Sequence, residues 1–367
     1  MEYLEKRISN IFHHLSEVDA VFIFNNERVD KNFFYMSGLT DGVFENCGVL
    51  CDTDGRMFIF TTTLEEEAAR TAEGYAEIVT YKNEESRDGK FIHILSQYKK
   101  IGIPYRSISH LFYLHLQSMF DGTEWIDAEK AFRLERMIKS QEEITRITKA
   151  CEIVSRVADS VPKILKEGMT ELDLSAEIDF KMKKMGAYGV AFKTIAAFGC
   201  NTSKPHYSGA NVSLSRGDVI LVDFGAEYMG YSSDITRTYL TGMPAKHLID
   251  IYFTLLSAQK TAIDLIKAGN SSKDVEDEVR KIIDSNENYR GKFIHSLGHS
   301  LGMDVHDGPY PDADFNHEFA ENMVLTVEPG IYIPGLYGMR IEDDIVVGRE
   351  GCTVLTTARK EPISYEI

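Results

Sequence analysis

Short apolar runs separated by turn residues alternate with helical stretches through the first third of the chain. Residues 20–24 (AVFIF) predict a strand. Residues 49–51 and 57–60 are apolar and flank Asp52 to Gly55, where the Asp-Gly step predicts a hairpin. Residues 63–71 predict a helix, and 101–103 another strand, ended by Pro104. After Trp125 the texture changes. Ser140 and Glu143 have the spacing of a capping box, in which each satisfies a free backbone N–H at a helix start. Ile144, Ile147, Cys151, Val154, Val157 and Val161 follow in steps of 3 and 4, which line one buried helix face. Gly168 predicts the C-cap of that helix. Residues 170–173 start a second helix that ends near Gly186. From about residue 190 the pattern turns strand-like with glycine turns. The change near 127–135 predicts one domain over 1–127 and another over 128–367.

The 367 residues are 43% hydrophobic and 26% charged, ordinary globular usage with ample chain for two cores. Forty basic residues against 57 acidic ones give a net charge of −17, and the acidity is spread over both halves. A nucleic-acid or anionic-lipid partner needs a basic footprint, so neither is expected. No apolar run approaches the roughly 18 residues of a membrane span. MEYLEKRISN lacks the apolar core of a secretory signal. Cys47, Cys51, Cys151, Cys200 and Cys352 are odd in number, scattered and free of any C-x-x-C. Neither a disulfide framework nor a thiolate zinc site is expected, which points to a reducing, cytoplasmic setting.

Three segments carry candidate chemistry. In DVILVDFGAEYMGYSSDITRTYL, strand period places Asp223 at the end of one strand and Asp234 on its return partner. Two carboxylates brought together repel each other unless protonated or bound to a cation; two solvated aspartates on a hairpin is the plain alternative. In IHSLGHSLGMDVHDGP, spanning 294–309, three histidines lie within twelve residues. Gly298 and Gly302 argue against a helix there. An extended chain puts His295 and His299 on one face, and His306 needs a bend to join them; hydrogen-bonded structural histidines remain the alternative. In VLTVEPGIYIPGLYGMRIEDDIVV, residues 324–327 predict a strand with Glu328 at its end, Gly335 and Gly338 mark a turn, and 341–347 predict a returning strand carrying Glu342. Exposed acidic strand ends would be the plain reading of both glutamates.

Read together, the segments explain each other. Asp223, Asp234, Glu328 and Glu342 sum to −4, two divalent cations supply +4, and one neutral His299 completes the set. Such an oxygen-rich cage suits Mn²⁺, Fe²⁺ or Co²⁺ better than a structural zinc.

VDFGAEYMGYSSDITRT, LGHSLGMDVH and TVEPGIYIP…RIEDD resemble the phrases of the pita-bread metallopeptidases of family M24: Xaa-Pro dipeptidases (prolidases), Xaa-Pro aminopeptidases and, more distantly, methionine aminopeptidases. The resemblance covers nearly the whole chain. It implies an α+β fold, with a C-terminal pita-bread (creatinase/aminopeptidase) domain and an N-terminal α/β domain of creatinase/prolidase type. It implies two divalent metal ions, Mn²⁺ foremost, with Co²⁺ or Fe²⁺ as alternatives. Asp223 would bind one, His299 and Glu328 the other, and Asp234 and Glu342 both. Glu328 would also act as general base toward the attacking water. His306 would stabilise the oxyanion, His206 would stand near the scissile amide, and His295 and Arg340 would hold the substrate. The substrate would be a small peptide with proline at its second position, and the chain a homodimer. Dipeptidase and Xaa-Pro aminopeptidase both remain open, the compact length favouring the first. A non-catalytic binding protein and a metal-free amidinohydrolase share the fold but depart at the ligand positions, all of which this chain keeps. Two departures stand out: Ser300 where the family usually has glycine, and Asp307 where it usually has glutamate.

Overall fold

The computed structural model describes residues 2–26, 29–40, 42–308, 318–361 and 364–365. The chain divides into two compact units, Met1–Arg136 and Met137–Ile367. The helix Glu129–Met137, which starts after the boundary read from the sequence, lies in the first unit up to Arg136: Asn10 Nδ2 donates to Glu135 at 3.1 Å, and Arg136 Nη1 to Asn32 Oδ1 at 2.8 Å.

The first unit is built on a six-stranded mixed sheet. Its spatial order is Glu77–Tyr81, Met57–Thr62, Cys47–Asp52, Ala20–Asn25, Lys100–Ile103 and Glu124–Asp127. The expected hairpin joins Cys47–Asp52 to Met57–Thr62 in antiparallel register, and the outer pairings are parallel. Phe22, Phe60 and Phe91 pack edge-on in its core, with centroids 5.0–5.9 Å apart, a geometry that aromatic quadrupoles favour. The helix expected over 63–71 is shorter than predicted. The strand runs on to Thr62, and only Glu66–Ala69 is α-helical before a 3-10 turn over Arg70–Ala72.

The second unit holds two helix pairs, each laid on a sheet. Gln141–Ser160 begins with the predicted capping box between Ser140 and Glu143, and Glu171–Lys184 with one between Thr170 and Asp173. Their apolar faces, Ile147, Val154, Val157, Leu174 and Ile178 among them, are buried. They cover the sheet Ser364–Tyr365, Ile235–Thr241, Val219–Phe224, Ile195–Phe198. Gly168 is not the C-cap of the first helix. That helix stops at Ser160 and passes into a 3-10 turn at Pro162, which cannot donate an N–H, and Gly168 sits in a later turn at φ +80°.

The strand-like texture expected beyond residue 190 fails over 246–284. Two helices stand there, Lys246–Leu265 and Ser272–Asp284. Leu248, Ile251, Tyr252, Leu255, Ala258 and Ala262 recur at steps of 1, 3 and 4 and form one buried face. These helices cover a second sheet, Val324–Val327, Asp343–Val347 and Cys352–Val354. No helix among the described residues is long and apolar enough to cross a membrane.

Candidate metal centre

The candidate residues converge where the two halves of the second unit meet. Asp223 lies in Val219–Phe224 opposite Thr236 of the antiparallel partner Ile235–Thr241. Asp234 is not on that partner strand but immediately before it. A small hairpin, Ala226–Tyr228 with Tyr231–Ser232, fills the interval, and Gly225 allows it to close: a Cβ there would stand 2.1 Å from the Ser233 carbonyl. The Asp234 N–H donates to Asp344 Oδ2 at 2.8 Å, an acceptor that also receives the Cys151 thiol at 3.2 Å.

The histidine segment is non-helical, as its glycines predict. It runs antiparallel beside Val324–Val327. Thr326 N–H donates to the His299 carbonyl at 2.9 Å, Glu328 N–H to Leu297 at 2.8 Å, and Leu301 N–H to Val324 at 2.9 Å. Gly298 makes this approach possible, since a Cβ on it would meet the Thr326 carbonyl oxygen at 2.0 Å. Bends over 302–306 return the chain, so that His306 packs edge-on against His299 with centroids 4.3 Å apart. Pro309, the last residue of that motif, lies outside the described residues.

Glu328 follows Val324–Val327 as expected. Glu342 does not lie within a strand. The strand expected over 341–347 breaks at Ile341 and Glu342, between Tyr337–Arg340 and Asp343–Val347, because these pair with different partners. Within the break, the Glu342 N–H donates to the Thr236 carbonyl at 3.1 Å and ties the two halves together. Gly335 is in the turn at φ +76°, whereas Gly338 is in a strand, its bare Cα facing the Thr202 carbonyl.

His299 Nε2 lies 3.5 Å from Asp234 Oδ2 and 3.4 Å from Glu328 Oε1. Its Nδ1 faces the Ser300 carbonyl at 3.2 Å. A carbonyl can only accept, so Nδ1 carries a proton there, and Nε2 is the nitrogen turned toward the carboxylates, where a metal ligand would need its lone pair. Two threonines brace the acids. Thr326 Oγ1 accepts the His299 N–H at 2.9 Å and donates to Glu328 Oε1 at 3.0 Å. Thr236 Oγ1 donates to Glu342 and accepts from Arg340 Nε at 2.8 Å. Arg340 also ion-pairs with Asp223 and reaches Tyr332 Oη at 2.8 Å, and that hydroxyl lies 3.0 Å from His295 Nε2.

The electrostatics are those of a crowded anionic pocket. Burial, then the neighbouring carboxylates, push Asp234 and Glu342 well above the usual carboxylate range. Burial raises Asp223 less, because Arg340 pulls it back. Burial lowers His295 and His306, which favours neutral imidazoles. Burial would strip the Arg340 charge, but Tyr332, Asp223, Glu342 and Glu328 outweigh it and hold the guanidinium protonated.

A divalent metal fits this donor set. Donor atoms of Asp234, His299 and Glu342 lie within 4.8 Å of one another. Asp223 Oδ1 and Asp234 Oδ1 are buried without a hydrogen-bond partner among the described residues. Buried carboxylate oxygens are normally satisfied, and a cation would supply what is missing here. All nine sequence-derived residues line one cavity of about 540 Å³: Asp223, Asp234, His299, Glu328 and Glu342, together with His206, His295, His306 and Arg340. Phe192, Ile195, Pro205 and Val305 give it an apolar wall. Tyr332, Thr236, Thr326 and Asp344 went unforeseen. Threonine in a strand is ordinary β-former usage, so nothing local marks it as a brace.

The profile of metallopeptidase family M24 matches residues 145–349, and that of the creatinase/prolidase N-terminal domain matches residues 7–138. The Xaa-Pro dipeptidase of Pyrococcus horikoshii is 33% identical over 365 residues, covering 99% of this chain and all of the relative. Among solved structures, the Xaa-Pro dipeptidase from Bacillus anthracis superposes with a TM-score of 0.89 at 30% identity, covering 98% of this chain and 99% of that one. The X-Pro aminopeptidase from Thermotoga maritima superposes with a TM-score of 0.87 at 32% identity, covering 97% and 99%.

Proposed function

The chain belongs to metallopeptidase family M24, with a creatinase/prolidase N-terminal domain ahead of the peptidase domain, and from that membership we propose that it hydrolyses the Xaa-Pro bond of dipeptides. The observation that carries the reading is the placement of His299 Nε2 within 3.5 Å of both Asp234 and Glu328, in a pocket where Asp223 Oδ1 and Asp234 Oδ1 have no hydrogen-bond partner among the described residues. Asp223, Asp234, His299, Glu328 and Glu342 would hold two divalent cations, Mn²⁺ in the first place. Bound there, the cations would polarise the scissile carbonyl and make a water acidic near neutral pH.

The chain's own residues do the rest. Glu328 takes the proton of the attacking water, with Oε1 held by Thr326 and Oε2 3.9 Å from Arg340 Nε. His306, kept neutral by burial, offers one N–H to the developing oxyanion. His206 lines the same cavity beside Pro205 and stands toward the amide. His295 and Arg340, joined through Tyr332, grip the substrate. Proline's nitrogen carries no hydrogen, so the apolar wall of Phe192, Ile195, Pro205 and Val305 leaves no donor unsatisfied against it. A homodimer, on the strength of the family resemblance, and a cytoplasmic setting, on that of the scattered odd cysteines, complete the reading.

The likeness to the T. maritima aminopeptidase favours one other reading, removal of the first residue from longer Xaa-Pro peptides. A panel of Xaa-Pro dipeptides and Xaa-Pro-Yaa tripeptides with Mn²⁺ decides between them. Higher kcat/KM on the dipeptides is expected. A reversed preference moves the chain to the aminopeptidases, and hydrolysis of neither overturns both readings.

A further inference from the structure

We propose that the buried ion pair of Lys139 and Asp307 aims His306 at the reacting centre, making both of them positioning residues. The proposal rests on the hydrolytic reading for what His306 does, but the clamp itself is read from packing. Lys139 lies just ahead of the helix Gln141–Ser160 and is only 2% exposed. Its own N–H donates to the Asn322 carbonyl at 3.0 Å, which fixes the start of the side chain. Its Nζ lies 3.8 Å from Asp307 Oδ2. Asp307 is 3% exposed.

That one carboxylate oxygen closes a loop. It accepts the Met303 N–H at 3.1 Å, while the Asp307 N–H donates back to the Ser300 carbonyl at 2.9 Å. Residues 300–307 are thus folded onto themselves around Asp307. Gly302 is required for this: a Cβ there would stand 1.8 Å from the same oxygen. The loop is also pinned from below. Ser232 N–H donates to the Gly302 carbonyl at 2.8 Å and Ser232 Oγ to Met303 at 3.3 Å, two residues before Asp234. His306 is the residue next to Asp307, and its ring lies against His299. The direction of that imidazole therefore follows from where the carboxylate is held, by the Met303 N–H at 3.1 Å and by the charge of the Lys139 ammonium, which is anchored on the Met137 carbonyl at 3.4 Å.

A buried ion pair is a poor source of stability, because desolvating both charges costs about as much as their attraction returns. Apolar residues of similar size would fill the space as well. A pair kept in that position is better accounted for by what it orients. It also bears on the departure from the usual glutamate at 307. The aspartate places its Oδ2 against Gly302 and 3.8 Å from Lys139 Nζ.

The test uses the metal-loaded full chain as wild type, Asp307→Asn, Lys139→Met/Asp307→Asn and His306→Ala, and His306→Ala combined with each of the other two. The double variant removes both charges together, so it keeps the experiment alive if Asp307→Asn alone fails to fold. Turnover of an Xaa-Pro dipeptide, metal content and melting temperature are read on each. Both clamp variants should lower kcat by about ten- to a hundredfold with KM within about threefold, since misplacement of a reacting group by an ångström costs that much. Metal content should be unchanged. In the His306→Ala background the same changes should add nothing further, as residues acting through one group are non-additive. Additive losses, or losses that track metal content or melting temperature, overturn the proposal. A wild type that cleaves no Xaa-Pro peptide sinks the hydrolytic reading instead. The clamp is then decided by the crystal structure of the double variant, where a displaced His306 ring supports it and an unmoved one overturns it.

Discussion

Tyr332 donates its hydroxyl hydrogen to Nε2 of His295 at 3.0 Å, because Nδ1 of that imidazole faces the Ser296 carbonyl at 2.8 Å and must carry the ring's proton. The same hydroxyl accepts from Arg340 Nη1 at 2.8 Å. Burial pushes the phenol up to about 12, so the proton stays on oxygen at working pH. Tyr332→Phe leaves the imidazole without its donor and the guanidinium short of one acceptor. Buried groups deprived of a partner cost about 1–3 kcal/mol each. A lower urea midpoint is expected, with a fall in kcat/KM of roughly tenfold from the loosened His295 and Arg340. Unchanged kcat/KM at a lowered midpoint would confine Tyr332 to structure.

Asp234 shows what the pocket costs when no cation is bound. Burial and then Glu342, Asp223, Asp344 and Glu328 push its carboxyl well up. One of its oxygens has no partner among the described residues. Asp234→Asn keeps the shape, removes a charge and adds two donors. In chelated protein it should raise the melting temperature by about 2–4 °C per kcal/mol of burial and repulsion cost relieved. Addition of Mn²⁺ should then reverse the ranking, raising wild type by ligand linkage and the variant little. Calorimetric melts with and without metal check both halves. A chelated variant less stable than chelated wild type would mean that charge repulsion does not govern this pocket.

Much of the site was legible in the sequence because its residues lie at strand ends and turns, which short-range pattern reveals. Period-two alternation brought Asp223 to the end of its strand, and the glycines at 298 and 302 kept the histidine segment out of a helix. What escaped was set by contacts distant in the chain. The pattern of 341–347 predicts a strand through Glu342, yet its N–H goes to Thr236, over a hundred residues away, and no local pattern carries that pairing. Tyr332 looks like an ordinary strand tyrosine until Arg340 and His295 arrive on either side. The helices at 246–284 are hidden in the sequence for another reason. Their periodicity is plain at Leu248, Ile251, Tyr252 and Leu255, but the glycine-rich flanks on both sides read as strand and turn.

Gly298 is where backbone approach sets the metal ligand. A methyl group on it would overlap the Thr326 carbonyl oxygen at 2.0 Å, and that backbone cannot yield without moving His299 or Glu328. Gly298→Ala should therefore separate the histidine segment from Val324–Val327. Strain of this kind costs typically about 1–3 kcal/mol. The expected outcome is a lower melting temperature together with substoichiometric metal and turnover reduced in proportion to the metal lost. Full metal content and wild-type turnover would show that the two segments can separate without disturbing the donors.

Glu328 carries two duties in the proposed reaction, as metal donor and as base, and a single atom change can weigh them. Glu328→Gln keeps the length of the side chain and a carbonyl oxygen that can still face His299 Nε2, now 3.4 Å from Oε1. It cannot take a proton. Loss of a general base costs about 10²–10⁴-fold in rate. The variant should therefore lose kcat by at least that range while binding an Xaa-Pro product or substrate analogue with affinity within about tenfold of wild type, a difference of about 1.4 kcal/mol. Metal content, measured alongside, separates the two duties: turnover lost with metal retained assigns the proton transfer to Glu328, whereas turnover lost only in step with metal makes it a ligand alone. Turnover within about tenfold of wild type at full metal content would remove Glu328 as the base, since the base contributes at least ten times that.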